Sequence, residues 1–276
     1  MNRGFHVFFV LGVLPLIVSA SFIQMKVTLN LPRQLQDDSA QVNASLINQG
    51  DEAAHDVRAE LILPHGFAAD SRYLGTLAPH SPHATSFNVS LPDSILDGTY
   101  PVVLKTHYSD ANAYPFSTIT AGLMRIGKSR PQLIRSRMKP AVIYGEASTP
   151  LTLEILNKGS SPQRVNVRFI LPDELKSSVY ETEVHVPAQE TAEKTIMIEN
   201  FGALPESTYF IMAVIEYEDD YHYSFISSAQ IQVKEEKKML SPTTYMPIFF
   251  VLLMLVVAGF IYLQFRGGQP GEKKKQ

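Results

Sequence analysis

The stretch 99-TYPVVLKTHYSDANAYPF-116 returns as 208-TYFIMAVIEYEDDYHYSF-225. Thr99, Tyr100, Tyr108, Tyr114 and Phe116 recur as Thr208, Tyr209, Tyr217, Tyr223 and Phe225 at one constant offset. The likeness extends outward in both directions. 45-SLINQG-50 matches 154-EILNKG-159, and 57-VRAELILP-64 matches 165-VNVRFILP-172. A period of about 110 residues is far too long for a solenoid unit and suits two whole domains in tandem.

Each copy reads as all-β. Short runs rich in Val, Ile, Leu, Tyr and Phe are punctuated by Asn-x-Gly, Pro and Asp-Gly roughly every 8–12 residues. Runs such as 42-VNASLIN-48 and 151-LTLEILN-157 alternate as half-buried strands do. About seven strands in ~100 residues point to an immunoglobulin-like β-sandwich. Tyr100 follows the turn 97-DGT-99 and opens an apolar run, and Tyr209 follows 205-PEST-208 and opens another. A Tyr at the start of the sixth strand, bonded back to upstream backbone, is a tyrosine corner; Tyr100 and Tyr209 are assigned that structural role.

The two ends differ in kind. Arg3, the apolar run 5-FHVFFVLGVLPLIVSA-20 and its small-residue close read as a secretory signal peptide over residues 1–20, the rival being an uncleaved anchor. The run 245-YMPIFFVLLMLVVAGFIYLQF-265 has the length and apolarity of a transmembrane helix. The basic tail 266-RGGQPGEKKKQ-276 then stays cytoplasmic. The organisation is therefore domain 1 over residues 24–127, a basic linker over 128–140 and domain 2 over 141–234. Both sandwiches are expected outside the cytoplasm.

Cysteine is absent, which excludes disulfides, thiolate nucleophiles and zinc–thiolate sites. That absence favours a bacterial or archaeal envelope protein. Two Asn-x-Ser triplets at Asn43 and Asn88 and the lysine-rich tail keep a eukaryotic endoplasmic-reticulum membrane as the alternative. Residues 24–124 hold five Lys/Arg against ten Asp/Glu, and residues 141–238 hold eight against sixteen. Nucleic acid is not a partner for such surfaces. The basic strip between them reads first as a clamp on its acidic neighbours.

Strand, Asn-x-Gly, strand, a Leu-x-Pro turn, then Asp-Gly-Thr-Tyr and a long apolar strand resembles the cell-adhesion-related (CARDB) domain of bacterial and archaeal surface proteins. Residues 40–126 and 141–233 are the two copies. The resemblance implies a stalk, spacer or binding module near a membrane. Domain 2 departs from the pattern at 206-EST-208, where Asp-Gly is expected.

No nucleophile motif, phosphate loop or zinc-protease signature is present, so no catalytic residue, cofactor or metal site is assigned. His80 and His83 are too few for a metal centre. The tip 217-YEDDYHY-223 is the candidate partner or ligand loop, through Glu218, Asp219, Asp220, Tyr221 and His222; calcium or a glycan is conceivable there. The sequence thus suggests a noncatalytic single-pass membrane protein whose ectodomain scaffolds an envelope or transporter assembly through a protein partner. The alternative is a surface adhesion module that binds glycan or calcium.

Overall fold

The computed structural model describes residues 22–32, 39–236 and 242–267. The signal segment 1–20 and the tail beyond Gly267 lie outside the described residues. The chain divides into two compact units, one ending at Lys234 and one beginning at Glu235.

Seven strands build the first module: β1 (Met25–Asn30), β2 (Ser39–Asn48), β3 (Ala54–Ile62), β4 (Arg72–Leu77), β5 (Pro82–Ser90), β6 (Gly98–Ser109) and β7 (Pro115–Ile126). One layer is the antiparallel sheet β1-β2-β5, and the other runs β4-β3-β6-β7. The second module repeats this plan. Its strands are β8 (Ile134–Met138), β9 (Ala141–Tyr144), β10 (Ser148–Asn157), β11 (Gln163–Ile170), β12 (Leu175–Ser177), β13 (Glu181–Val186), β14 (Thr191–Asn200), β15 (Thr208–Glu218) and β16 (His222–Lys234). The sheet β12-β14-β10-β8 faces β13-β11-β15-β16, with β9 added beside β16. Part of the basic stretch 128–140 is therefore the first strand of the second module, because β8 pairs with β10.

The repeated Asn-x-Gly has a local cause. Asn48 and Asn157 are wholly buried. The side-chain oxygen of each accepts from the glycine amide two residues on, Gly50 and Gly159. Each side-chain amide donates to two carbonyls, Glu52 and Leu77 in one module and Ser161 and Val186 in the other. A buried amide with its hydrogen bonds made fixes the turn after β2 in one module and after β10 in the other. Tyr100 Oη donates to the Leu96 carbonyl at 2.7 Å. Tyr209 is buried near Ser207 and the Leu204 backbone.

Each sandwich encloses its own core. Val42, Leu46, Phe87, Val102, Leu104 and Met124 fill the first, and Leu151, Leu153, Ile155, Ile196, Ile198 and Ile211 the second. A third apolar cluster belongs to neither interior. Val103 and Ile119 of the first module meet Ile170 and Val214 of the second, flanked by Ile62, Ala121, Met212 and Ile226. These residues sit on the outward faces of β3, β6, β7, β11, β15 and β16, so the four-strand layers of the two modules pack against each other. Val103 and Val214 are both at 0% exposure, and full burial of such a side chain stabilises by roughly 1.5–3 kcal/mol at most.

Polar contacts close the seam. The His222 amide donates to the Asp97 carbonyl at 2.9 Å. Ser224 Oγ donates to the Thr99 carbonyl at 2.7 Å, and Gln132 Nε2 donates to the Ser224 carbonyl at 2.7 Å. One parallel bridge, Gly98 to His222, joins β6 and β16 into a continuous nine-stranded sheet.

The last element, α1, is the helix Pro242–Gly267. Its described side chains, Met246 to Tyr262, are all exposed. Among the described residues no helix is long and apolar enough to cross a membrane.

Gly98 shows how close the modules come. A Cβ there would lie 1.9 Å from the His222 carbonyl oxygen. Gly98→Ala is expected to force β6 and β16 apart and lower stability by about 1–3 kcal/mol, the usual cost of overpacking. Thermal unfolding followed by circular dichroism checks this; an unchanged midpoint refutes the seam as described.

Candidate binding cleft

Where the two modules diverge at one end of the seam, they leave a cleft of about 500 Å³. The first module contributes the entry to β1 at Phe22–Met25, Glu52, the end of β6 at Tyr108 and Asp110, and β7 from Phe116 to Ile119. The second contributes Pro172 and Glu174 from the turn after β11, Leu204, and Ser207–Phe210 at the start of β15. Both walls thus draw on the repeated Tyr-rich strands β6 and β15 and on β7.

Glu174 is the anchor of the floor. It is 4% exposed. The Ser117 amide donates to its Oε1 and the Ser117 hydroxyl to its Oε2, both at 2.8 Å. Burial pushes the carboxyl above its usual range, against the lowering effect of those two donors. The Asp173 amide in turn donates to Ser117 Oγ at 2.7 Å. Tyr114 Oη donates to the Gly202 carbonyl at 2.5 Å, so a second clamp holds the modules beside the cleft.

The walls are aromatic. Tyr108 and Phe116 stack with centroids 5.7 Å apart and planes 20° from parallel. Phe22 and Phe210 are each 53% exposed, leaving much of their surface free. The remaining polar lining is Gln24, Glu52, Asp110, Thr118, Ser207 and Thr208. Among the described residues no Lys, Arg or His lines the cleft. Asp110 Oδ1 already serves its own turn, accepting from the Asn112 and Tyr114 amides, and Glu52 Oε1 accepts from the Ala111 amide of that turn. The geometry offers apolar ring surface, hydroxyls and carboxylate oxygens, a set suited to a neutral polyhydroxyl ligand.

The loop singled out in the sequence, 218–222, lies at the other end of the seam. His222 is 6% exposed and stacks on Tyr100 at 4.1 Å, with planes 3° apart. Its Nδ1 is 3.0 Å from Glu218 Oε1. Nε2 is 3.4 Å from Glu216 Oε1, near enough for an ion pair but not aligned for a hydrogen bond. Tyr221 lies beneath the Arg130 guanidinium at 4.6 Å. Tyr221 and His222 are thus engaged by the first module and the segment joining the modules. Asp219 Oδ1 accepts from the Tyr221 amide, and Asp220 points to solvent. Among the described residues no group of three or more metal-ligating side chains converges, at this loop or near His80 and His83.

A second histidine sits in the seam. His107 Nδ1 is 2.7 Å from Asp173 Oδ2 and Nε2 is 3.2 Å from Glu60 Oε1. Lys105 also pairs with Asp173, at 2.5 Å. Burial raises the Asp173 carboxyl, but Lys105 and His107 outweigh it and hold the group below its usual range.

With this geometry in view, the comparisons with known proteins can be placed. Residues 35–109 match the NPCBM-associated, NEW3 domain of alpha-galactosidase. That match covers β2 to β6 and supports an immunoglobulin-type module, and it is a different family from the CARDB-like domain that the motifs suggest. No curated protein matches the chain. Among solved structures, Escherichia coli alpha-2-macroglobulin activated by porcine elastase is 10% identical, over 77% of this chain and 22% of that one, with a TM-score of 0.32. Salmonella alpha-2-macroglobulin reacted with methylamine is 11% identical over 76% and 16%, at 0.32. Red sea bream transglutaminase is 10% identical over 77% and 31%, at 0.27. The chain spans about a fifth of the length of the first of these.

Sequence reasoning missed the cleft and the seam that creates it. The signal was present in 101-PVVL-104 and 210-FIMAVI-215, continuous apolar runs where a strand with one wet face alternates.

The seam has a pH dependence of definite sign. Burial lowers the His222 pKa, but Glu216 and Glu218 outweigh it, so the net shift is upward from 6.5. A raised folded-state pKa contributes stability that is complete below the unfolded value of about 6.5 and is lost as pH rises through the folded value. The melting temperature should therefore fall as pH rises above about 6.5, and His222→Gln should flatten that fall. An identical slope in both proteins tells against the imidazolium pairing.

Proposed function

We propose that this chain is a noncatalytic binding module, held to a membrane by α1, whose ligand is a neutral glycan seated in the cleft between the two sandwiches. The observation that carries the reading is the cleft itself: exposed aromatic faces and hydroxyls around carboxylates, with no Lys, Arg or His among the described lining residues. Aromatic rings offer apolar surface to the flat C–H faces of a sugar, while carboxylates and hydroxyls accept and donate to its hydroxyl groups. An anionic sugar meets the Asp110 and Glu174 carboxylates there. The likeness of residues 35–109 to a domain named for an alpha-galactosidase points to the same ligand class.

The anchor reading rests on α1. The described side chains of α1 run only from Met246 to Tyr262, too short a stretch to span ~30 Å of hydrocarbon, so the reading takes in the longer apolar run of the sequence around it. The sequence carries no charge from Met239 to Phe265. A helix that is apolar all round belongs inside a core or a bilayer. Anchored in this way, with the basic tail on the cytoplasmic side, the chain displays both modules outside the cytoplasm. The two sandwiches act as one body because the seam is both apolar and hydrogen-bonded, so ligand binding needs no ordering of the modules.

Calorimetric titration of the full chain in detergent micelles with neutral galactose-containing oligosaccharides is the direct test. Saturable heat is expected, and Phe210→Ala is expected to weaken binding at least tenfold, about 1.4 kcal/mol. Oligosaccharides carrying uronic acids should give no heat. If neutral sugars produce no saturable heat, or if Phe210→Ala binds as tightly as the native protein, the cleft is not the site.

A further inference from the structure

The outer face of β1-β2-β5 lies on the side of the first module opposite the seam, because the seam occupies the other layer. Along β2 and β5, Val42, Ala44, Phe87 and Val89 point into the core. The alternate positions point out, and among them are Asn43 and Asn88, both exposed.

The strand register brings these two asparagines together. Asn43 stands opposite Ser86, and Asn88 stands opposite Gln41 two places along. They are therefore diagonal neighbours on one surface, roughly 7–8 Å apart. Among the described residues neither side-chain amide makes a hydrogen bond within the chain. Each is followed two residues later by a serine, Ser45 and Ser90, completing the Asn-x-Ser acceptor triplet. The equivalent face of the second module is built differently: Thr152 bonds Thr195 at 2.9 Å, and Glu154 pairs with Lys139 at 2.7 Å.

We propose that Asn43 and Asn88 are a paired N-glycosylation site, carrying glycans on the face of the first module that points away from the second. The proposal rests on the reading that both modules lie outside the cytoplasm. In the transfer, the side-chain amide nitrogen attacks the anomeric carbon of a lipid-diphosphate-linked oligosaccharide. A C–N bond forms and the anomeric C–O bond breaks. The electron pair leaves with the lipid diphosphate, and the amide proton passes to a base of the transferase. Transfer to the extended nascent chain precedes folding, so the fold has only to leave each modified side chain in solvent. Both asparagines are exposed, so the fold does so at each position. A glycan there is bulky and solubilising, and it leaves the seam and the cleft unobstructed.

The test is expression of the full chain in a yeast secretory host, with electrophoretic mobility read before and after peptide N-glycosidase. The native chain is expected to run two glycan steps above the digested protein. Asn43→Gln and Asn88→Gln should each remove one step, and the double variant both. Gln189→Asn, made in the double-variant background, supplies a control for translocation. It completes an Asn-x-Thr triplet with Thr191 on an exposed turn of the second module, where Gln189 already holds a φ of 62°. If the control gains a glycan while the native chain co-migrates with the double variant, the proposal is overturned. If the control also stays unmodified, the second module does not reach that compartment, and the extracytoplasmic reading fails together with the site.

Discussion

Everything distinctive about this protein depends on one contact: the apolar cluster in which Val103 and Ile119 of the first module meet Ile170 and Val214 of the second. Val103 and Val214 are solvent-free although neither belongs to the interior of its own sandwich. Removing apolar surface from water on both sides of a strand turns two tandem domains into a single body. Around that centre the outward row of β6 is used almost completely. Thr99 exchanges hydrogen bonds with Ser224, Val103 packs, and Lys105 and His107 reach Asp173. Inter-domain surfaces are usually small and polar and permit motion. This one has an apolar middle and hydrogen-bonded ends, which fixes the relation of the modules.

The repeat is therefore symmetric in fold and asymmetric in use. The same corner appears twice, yet Gly98 in the first copy becomes Ser207 in the second. At Gly98 the neighbouring module's backbone leaves no room for a side chain; Ser207 stands at the rim of the cleft, where a side chain fits. The turns after β3 and β11 divide in the same manner. Residues 172–174 insert Asp173 and Glu174 into the seam, while the equivalent 64–66, with Pro64, His65 and Gly66, stay within their own module. Duplication supplied two identical scaffolds, and a few side chains specialised each for its place in the pair.

The cleft follows from the seam. Two twisted sheets packed face to face touch along a limited strip and diverge beyond it. The gap is lined by whatever the strand ends present. Here those ends carry the repeated aromatic residues, with the Glu174–Ser117 lock setting the distance between the walls. A ligand held there touches both modules at once, so its affinity depends on the seam as much as on the lining. The seam also titrates through His222, which faces Glu216 and Glu218 of its own module, while His107 links Glu60 to Asp173 across the contact.

Sequence alone determined the two all-β modules, because period-two apolarity, Asn-x-Gly turns and the Tyr corner are local devices. Each depends on residues a few positions apart or on a repeated strand register. It also marked the apolar run that forms α1. Tertiary structure decided what those modules face. The loop at 218–222 reads as a free acidic tip, but His222 and Tyr221 are taken up by Tyr100 and Arg130, residues about 90–120 positions earlier. The basic stretch reads as a linker, but β8 within it joins the second sandwich through β10. Glu174 and Ser117 carry no motif, and their pairing arises only when two distant turns meet. Local propensity fixes which face of a strand is apolar; which surface covers that face is a long-range choice that no short window of sequence contains.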